Sequence, residues 1–543
     1  MNMKRLVILL LLVVLSASLA STATAQDSAI ATIIFQQEPD TLSPLYTGMW
    51  FSSITTDLWL AGAWNFDADL NPNPVLVTEI PSTTNGGVSE DGLTITLNLR
   101  DDIVWSDGEP ITSADFVFTY EMWIAEGNLV SSAYPYDTFV DSVEAPDALT
   151  FIVNFNAPFA PWLATMWLTI LPEHILAPVY ADEGSLDYAD WNREPIVSSG
   201  PFVFSEWESG GHIFFERNEN YYNGDVGLDG VFIRIVEDDA AVVAALVNGD
   251  ADLATFIAYS DLGTLEGAGI DYSLANSGYN EQWTFNVNPE TAHPAMLELD
   301  VRKALTLAAP IELVNETLNE DRTFAPSTSW EGTPYDNPDI APPGYDPEAA
   351  AALLDGAGWV DSDGDGIRDK DGVDLELRYL TPPRQVRMDT QVVVQQAYAE
   401  LGIGLILENP SYDIFWTTYG EGGPIATGAY DIGQWSNSPA FPDPDMTDFL
   451  CAEIPNEENL EGNNWTGFCN EEVDSLLQEQ AITTDFDARV AMFHRIGELV
   501  TENAIWMGVW YDPDIWAINP RVLNVAISGA APFWNASTWE IAQ

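Results

Sequence analysis

The stretch Leu93–Trp123 constrains the fold of this chain more than any other. Apolar residues at its start alternate with polar ones, which is the pattern of a strand with one buried face. These apolar residues are Leu93, Ile95, Leu97 and Leu99. Asp107-Gly108 then marks a tight turn. Thr112 and Asp115 stand at capping-box spacing before an apolar stripe, so a helix is predicted to begin there. The chain therefore contains an α/β unit of strand, turn and helix.

The first residues have the pattern of an export signal. Lys4 and Arg5 precede an apolar run from Leu6 to Leu15, and Ala23-Thr24-Ala25 supplies the small residues of a cleavage site. A membrane anchor is the alternative, but the run is shorter than the ~20 residues that a spanning helix needs. We therefore expect a signal peptide over residues 1–25, cleaved near Ala25, and a periplasmic or secreted protein.

Charge and length limit the class of function. The 543 residues include 17 basic and 85 acidic ones, which gives a formal net charge of −68. Binding of nucleic acid requires clustered Lys and Arg that neutralise phosphates, so this class is excluded. The length and the 46% hydrophobic content predict several domain-sized units with ample core.

The chain has two cysteines, Cys451 and Cys469, separated by a short acidic loop. In an exported chain such a pair is most simply a structural disulfide, and a redox-active thiol pair is the alternative. Closing a loop of this size would add ~3 kcal/mol of stability by restricting the unfolded chain.

Several motifs resemble family 5 solute-binding proteins, the oligopeptide and dipeptide receptors of bacterial ABC importers. Within the opening stretch, Leu99-Arg100, Trp105 to Gly108 and Pro110 to Phe116 match that family's signature in order and spacing. Three later segments resemble further motifs of the family: Leu171–Ile175, Ser199–Phe204 and Tyr345–Glu348. The resemblance extends from about Ala29 to Val525.

The resemblance implies an α/β, periplasmic-binding-protein-like fold of the cluster C type, with two lobes joined by a hinge and an extra β-rich subdomain. The expected domains are lobe I at 26–70, 191–283 and 510–543, the inserted subdomain at 71–190, and lobe II at 284–509. It further implies a monomer that captures a small, peptide-like solute by lobe closure and delivers it to the membrane subunits of an ABC permease. No cofactor is required. Many relatives carry a cysteine at the cleavage point for lipid attachment, whereas this chain has none there.

Aromatic residues on interlobe strands are candidates for burying a ligand, although each is by default a core residue. The predicted ligand contacts are Trp416, Trp435, Asn437, Trp510 and Tyr511, with Trp435 first. By the resemblance, the aspartate that pairs with a peptide's α-ammonium falls at Ala440, which cannot supply that bond. Asp443 or Asp445 could replace it, and a non-peptide solute (an oligosaccharide, an opine or a metal chelate) stays an alternative.

One loop resembles a calcium-binding loop. Asp361, Asp363 and Asp365 occupy the first, third and fifth positions and Gly366 the sixth, but Gly372 stands where the twelfth-position acid belongs. The loop is either the site of a structural Ca²⁺ or a solvated hairpin.

No catalytic motif is found in the sequence. The four histidines, His174, His212, His293 and His494, lie in unrelated contexts without metal-ligand spacing. We therefore expect no enzymatic activity. An extracytoplasmic hydrolase built on a binding fold and a sensory receptor subunit are the alternatives in other classes.

Overall fold

The computed structural model describes residues 28–437, 441–444, 447–460 and 462–542. The predicted signal peptide at 1–25 lies outside the described residues, and so do Ala440 and Asp445. Two large β-sheets with helices packed against them form two lobes, and a smaller sheet forms a third unit.

The strands are β1 Ile30–Phe35, β2 Trp64–Phe66, β3 Pro72–Pro74, β4 Thr94–Asn98, β5 Val140–Asp147, β6 Thr150–Phe155, β7 Phe202–Glu208, β8 His212–Arg217, β9 Gly230–Ile235, β10 Leu253–Ala254, β11 Asp271–Ala275, β12 Asn280–Phe285, β13 Asp369–Lys370, β14 Val373–Asp374, β15 Glu376–Leu380, β16 Gly404–Glu408, β17 Ile432–Asn437, β18 Trp506–Tyr511, β19 Asp514–Ile518, β20 Val522–Leu523 and β21 Glu540–Ile541. The α-helices are Trp50–Trp59, Ser113–Ile124, Tyr136–Phe139, Trp162–Thr165, Glu173–Glu183, Asp239–Asn248, Tyr259–Ala268, Leu299–Ala308, Ile311–Leu318, Pro347–Ala357, Gln385–Ala399, Tyr412–Phe415, Glu471–Ile482 and Phe486–Glu502.

The first lobe is built on a seven-stranded sheet of order β11-β19-β10-β1-β9-β8-β7. Its central strand, β1, runs parallel to β9 and β10. Alternate residues of β1 point to opposite faces, so Ile33 packs in the core on one face and Ile34 in the core on the other. Burial on both faces explains why the strand is a nearly continuous apolar run.

The second lobe is built on a five-stranded sheet of order β16-β15-β17-β12-β18. The parallel strands β15, β16 and β17 are joined to the antiparallel pair β12 and β18. The helix Gln385–Ala399 follows β15 and packs on the sheet through Val394 and Tyr398. Within the core, Trp283 Nε1 donates a 2.8 Å hydrogen bond to the Tyr379 hydroxyl.

The chain passes between the two sheets twice. β11 ends at Ala275 and β12 begins at Asn280, while β18 ends at Tyr511 and β19 begins at Asp514. The predicted lobe limits at 283 and 510 fall inside β12 and β18, which are both strands of the second sheet. The change of sheet therefore falls at 276–279 and 512–513. Asp512 N donates to Tyr279 O at 3.0 Å, which links the two crossing segments.

The region predicted as a β-rich subdomain contains a three-stranded antiparallel sheet of order β4-β6-β5 together with several helices. The predicted cap is present: Thr112 and Asp115 form a capping box at the start of Ser113–Ile124. Leu97 and Phe116 of this region share one continuous core with Ile33 of the first lobe. The subdomain thus packs as an extension of that lobe.

The lobes also touch away from the crossing segments. Ala160 N, in the subdomain, donates to Ala481 O, in the second lobe, at 2.9 Å. Arg322 Nη1 of the second lobe lies 3.7 Å from Glu266 Oε1 of the first. These contacts connect the two lobes outside the crossing segments. None of the helices in the described ranges has the length and apolar character needed to cross a bilayer.

Candidate ligand-binding site

The carboxyl ends of the parallel strands face each other across the two crossing segments. In the first sheet, Ala275 pairs with Asp514 at the edge where β1, β9 and β10 end. In the second sheet, Asn280 pairs with both Asn437 and Tyr511 at the edge where β15 and β17 end. Ligands of open α/β sheets bind outside the carboxyl ends of the strands. We call the region where these two edges meet the interlobe site.

The three paired residues at this edge of the second sheet, Asn437, Asn280 and Tyr511, are polar. Asn280 is buried, and its Nδ2 donates to Ser329 O at 2.9 Å. The Tyr511 ring stacks on Phe324 with centroids 5.4 Å apart, and its hydroxyl bonds to Asn276 in the crossing segment. Of the predicted contacts, Asn437 and Tyr511 therefore lie at the interlobe edge.

Trp435 is the centre of an aromatic cluster on the second lobe. Its ring centroid lies 5.7 Å from that of Trp465, 6.0 Å from that of Phe415 and 6.2 Å from that of Trp416. Trp435 is only 3% exposed, whereas Trp416 is 43% exposed. Trp416 is therefore the member with surface to offer a ligand, and Trp435 supports it from beneath.

The structure places Trp510 differently from the prediction. It is 1% exposed and packs in the core of the second lobe. The pairing of β12 with β18 shifts register between Glu281 and Gln282, opposite Trp510 and Gly508. A bulge of this kind changes which face of the sheet the following side chains occupy. In this conformation Trp510 has no surface to contact a solute.

A charged network holds the strand ends next to the interlobe site. Arg387 Nε and Nη2 each lie 2.8 Å from a carboxylate oxygen of the buried Glu281. Arg384 Nη1 lies 2.7 Å from Asp512 Oδ2, and the Ser436 hydroxyl is 2.7 Å from both acids. Burial would raise the pKa of Asp512, but Arg384 and the Ser436 hydroxyl hold it below its ordinary value. The network fixes the second crossing segment to the second lobe.

Two nearby acids differ in whether a base neutralises them. Asp443 pairs with Arg489 at 2.8 Å, so Arg489 already neutralises its charge. Asp448 accepts hydrogen bonds from Asn437 Nδ2 at 2.8 Å and from Asn463 Nδ2 at 3.1 Å. Burial raises the pKa of Asp448 to about 6, although the Asn437 hydrogen bond acts in the opposite direction. Within the described ranges no Lys, Arg or His lies within 4.0 Å of Asp448.

The first lobe contributes an aromatic pair and an acid. Trp50, at the start of the helix Trp50–Trp59, lies edge-on to Phe256 with centroids 5.2 Å apart. Phe256 is 43% exposed and has a positive φ of 55°, which is rare for a bulky residue and is often found at functional sites. Asp239 accepts a 2.8 Å hydrogen bond from Gln36 Nε2 and interacts electrostatically with Arg384 of the other lobe. Both lobes thus present polar and aromatic groups to the interlobe site.

A family model described as "Bacterial extracellular solute-binding proteins, family 5 Middle" matches residues 59–449, which is more than half of the chain. The chain belongs to this family. The predicted resemblance, the α/β two-lobed fold class and the role as a solute-binding protein are confirmed.

Comparisons over nearly the whole length agree with this assignment. "Oligopeptide-binding protein AppA" of Bacillus subtilis (strain 168) is 25% identical over 468 residues, which is 83% of this chain and 81% of that protein. The structure of NikZ from Campylobacter jejuni in complex with Ni(L-His) superposes with a TM-score of 0.80 at 22% identity, covering 94% and 99% of the two chains. The structure of AppA with a nonapeptide gives 0.78 at 23%, covering 95% and 100%. These two structures share the fold with this family 5 protein.

The predicted calcium loop is exposed on the second lobe. Carboxylate oxygens of Asp361, Asp363 and Asp365 lie within 4.8 Å of one another, a donor set that suits Ca²⁺. Some of these oxygens already accept backbone N–H groups of the loop; Gly364 N, for example, donates to Asp361 at 2.7 Å. The structure is therefore compatible with both predicted alternatives, and Ca²⁺ binding stays a prediction.

The disulfide loop contributes to the aromatic cluster. Cys451 and Cys469 are joined by a disulfide with Cα atoms 4.8 Å apart. The loop between them carries Trp465, which packs on Trp435, and Asn463, which binds Asp448. The cross-link therefore restrains two residues at the candidate site as well as the chain itself.

Sequence reasoning missed several site residues. These are Trp50, Asp239, Phe256, Glu281, Arg384, Arg387, Asp448 and Trp465. Two local signals point to some of them. Arg384 and Arg387 lie three positions apart at the start of the helix Gln385–Ala399, and an acid-rich run extends from Asp443 to Asp448. The partners of the remaining residues are far away in sequence, so no local pattern identifies them.

Proposed function

We propose that this protein is the extracytoplasmic receptor of an ABC importer, which captures a peptide or peptide-like solute between its lobes and delivers it to the permease. The proposal rests on one observation: the edges of the two sheets at which the parallel strands end face each other across two short crossing segments. A solute held there contacts both lobes only when they are closed, so binding shifts the equilibrium toward the closed state. The permease would then recognise the closed, ligand-bound state.

The chemistry of the interlobe site supports a ligand with a cationic end and an apolar body. Among the described residues, no basic side chain lies within 4.0 Å of the Asp448 carboxylate, which sits beside the amide of Asn437. Trp416 on one lobe and Phe256 on the other provide exposed aromatic surface. A peptide's α-ammonium suits the first group, and its side chains suit the second. The relative from Bacillus subtilis, named as an oligopeptide-binding protein, supports the same ligand class.

A metal chelate is the second candidate ligand. It is favoured by Ala440, which stands where the family resemblance places an ammonium anchor, and by Asp443, which Arg489 already neutralises. The fold neighbour solved with Ni(L-His) supports such a ligand on this fold.

We propose binding without chemical turnover. The compared proteins are binding proteins. The histidines lie in separate places: His174 bonds to Asp107, His293 to the carbonyl of Asp374 and His494 to the carbonyl of Asp336. Contrary to the prediction that the histidines lack metal-ligand partners, His212 lies beside Glu206 and Glu208, a group of exposed acids on the first lobe. A signal peptide at 1–25, a monomeric state and the permease as partner belong to the same proposal.

Native mass spectrometry of protein purified without denaturation tests the proposal directly. We expect a co-purified peptide, saturable calorimetric binding of that peptide, and no cleavage products. Asp448→Asn is expected to weaken peptide binding by about tenfold or more, because it removes the charge from a charge-assisted hydrogen bond. Asp474→Asn, at an acid near the disulfide that bonds to Cys451 N, is the matched control and should leave affinity unchanged.

Other outcomes would overturn specific parts of the proposal. Released products would identify an enzyme. Binding of nickel–histidine or of another chelate without any peptide binding would select the second candidate. Equal peptide affinity in Asp448→Asn and the wild type would remove Asp448 from the site.

A further inference from the structure

A separate groove lies on the second lobe, at the end of β18 opposite the crossing segment. It has a volume of about 310 Å³ and is bounded by the helices Leu299–Ala308 and Pro347–Ala357 and by the segment around Pro343. Its floor includes Pro326, Trp506 and Met507, which are buried. The interlobe site begins at Tyr511, at the other end of the same strand.

The walls of the groove are poor in hydrogen-bond donors. Pro326, Pro342 and Pro343 have no backbone N–H, and Leu353 and Met507 are apolar. Of the three hydroxyls that line the groove, those of Thr306, Ser327 and Thr501, two are already engaged: Thr306 donates to Lys303 O at 2.9 Å, and Ser327 donates to Glu331 at 3.0 Å. A ligand body that fits these walls is therefore apolar.

Lys303 supplies a positive charge at the edge of this groove. The described chain holds two lysines, and the other one, Lys370, is fixed by Glu298 at 2.8 Å. Within the described ranges no carboxylate lies within 4.0 Å of the Lys303 ammonium. This is unusual in a protein with 85 acidic residues and 17 basic ones, where an unpaired cation has many potential partners. Lys303 is half-buried on the helix Leu299–Ala308, whose Val301, Ala304 and Leu305 lie in the core.

We propose that this groove is a second ligand site, which takes a small monocarboxylate with an apolar body. The carboxylate would pair with the Lys303 ammonium, and the apolar body would lie against Pro326, Trp506 and Met507. The volume lies at the lower end of the range for small-molecule pockets, which fits a short-chain or aromatic acid. The site does not depend on the solute that the interlobe site takes, because the two share no residue.

Calorimetric titration of the full protein with octanoate tests the proposal, with octanol and octylammonium as probes of the same chain length. We expect saturable, one-to-one binding of octanoate and much weaker binding of the other two. Lys303→Met keeps the apolar stem and removes the charge, so octanoate affinity should fall about tenfold to a hundredfold. Arg234→Met is the matched control, because Arg234 is an exposed cation on the first lobe with no carboxylate within 4.0 Å among the described residues.

A second variant guards against an indirect effect of Lys303→Met on folding. Ala341 is exposed at the mouth of the groove, so Ala341→Trp should block the groove without disturbing the core, and should abolish octanoate binding at an unchanged melting temperature. Three results would overturn the proposal: no binding of octanoate, equal binding of octanol, or unchanged octanoate affinity in Lys303→Met. Failure here would leave the interlobe proposal untouched, since peptide binding is measured separately.

Discussion

Trp435→Ala is expected to lower the free energy of unfolding of the second lobe by about 3–5 kcal/mol. The indole is 3% exposed and packs against Phe415, Trp416 and Trp465. On its other side it covers Gly433, where an added Cβ would lie 2.5 Å from the ring. Glycine has no side chain that could fill the space left by the indole. The cavity would therefore persist, and the cost should lie in the upper part of the range for large-to-small changes.

If Trp435 were mainly a ligand contact, as the sequence predicts, the same variant would weaken ligand binding and leave thermal stability nearly unchanged. The observed burial of Trp435 reverses the second half of that expectation. Trp416→Ala is the matched control, because Trp416 belongs to the same cluster but is 43% exposed. Its cost should be about half that of Trp435→Ala, in proportion to the apolar area buried.

Urea unfolding followed by far-ultraviolet circular dichroism measures both variants without relying on tryptophan fluorescence, which the substitutions themselves change. Stability falls linearly with urea concentration, so the shift in midpoint reports the difference between the two variants. Ligand affinity is then compared for Trp416→Ala and Trp435→Phe, which keeps an aromatic ring. A Trp435→Ala midpoint equal to that of the wild type would refute the packing argument.

Three further predictions concern pH, the cross-link and calcium. Burial raises the pKa of Asp514, next to the crossing segment, to about 8 from an ordinary value of 3.8. The contribution of Asp514 to the free energy of unfolding is therefore complete below about pH 4 and is lost as the pH rises through 8. The melting temperature should therefore fall over that window, and a wild-type slope that persists in Asp514→Asn would contradict this assignment. Replacing Cys451 and Cys469 by Ser should cost about 3 kcal/mol in urea unfolding, since their sequence separation is 18; an unchanged midpoint would contradict the loop-closure argument. If the Asp361 loop binds Ca²⁺, chelator should lower the melting temperature of the wild type but not of Asp363→Asn, whereas an identical melting curve with and without chelator would identify a solvated hairpin.

Local signals predicted the elements of this fold well. The capping box at Thr112 forms as predicted, the Asp346 side chain caps the helix Pro347–Ala357, and the helix Leu299–Ala308 ends before Pro310. Each depends on residues within one helical turn, and the physics of caps and prolines acts over that distance. The strand Trp506–Tyr511 likewise coincides with an apolar run of the sequence.

The candidate site was less predictable because its determinants are not local. The side of the sheet that Trp510 occupies depends on a register shift against β12, a strand more than two hundred residues away in the chain. The pairing of Glu281 with Arg387 spans 106 residues, and neither sequence context indicates the other. Asp448 was not predicted because the resemblance places the ammonium anchor at Ala440, whereas the structure leaves Asp448 without a base within 4.0 Å among the described residues.

The two crossing segments have a mechanical consequence. They continue strands that are paired in both sheets, and the bond from Asp512 N to Tyr279 O joins them between the sheets. The connection is therefore one two-stranded ribbon rather than two independent tethers. A ribbon bends easily across its flat face and resists both stretching and sideways shear. In the proposed mechanism, opening and closing would then follow a single angle, and a solute anywhere between the lobes would act on that angle.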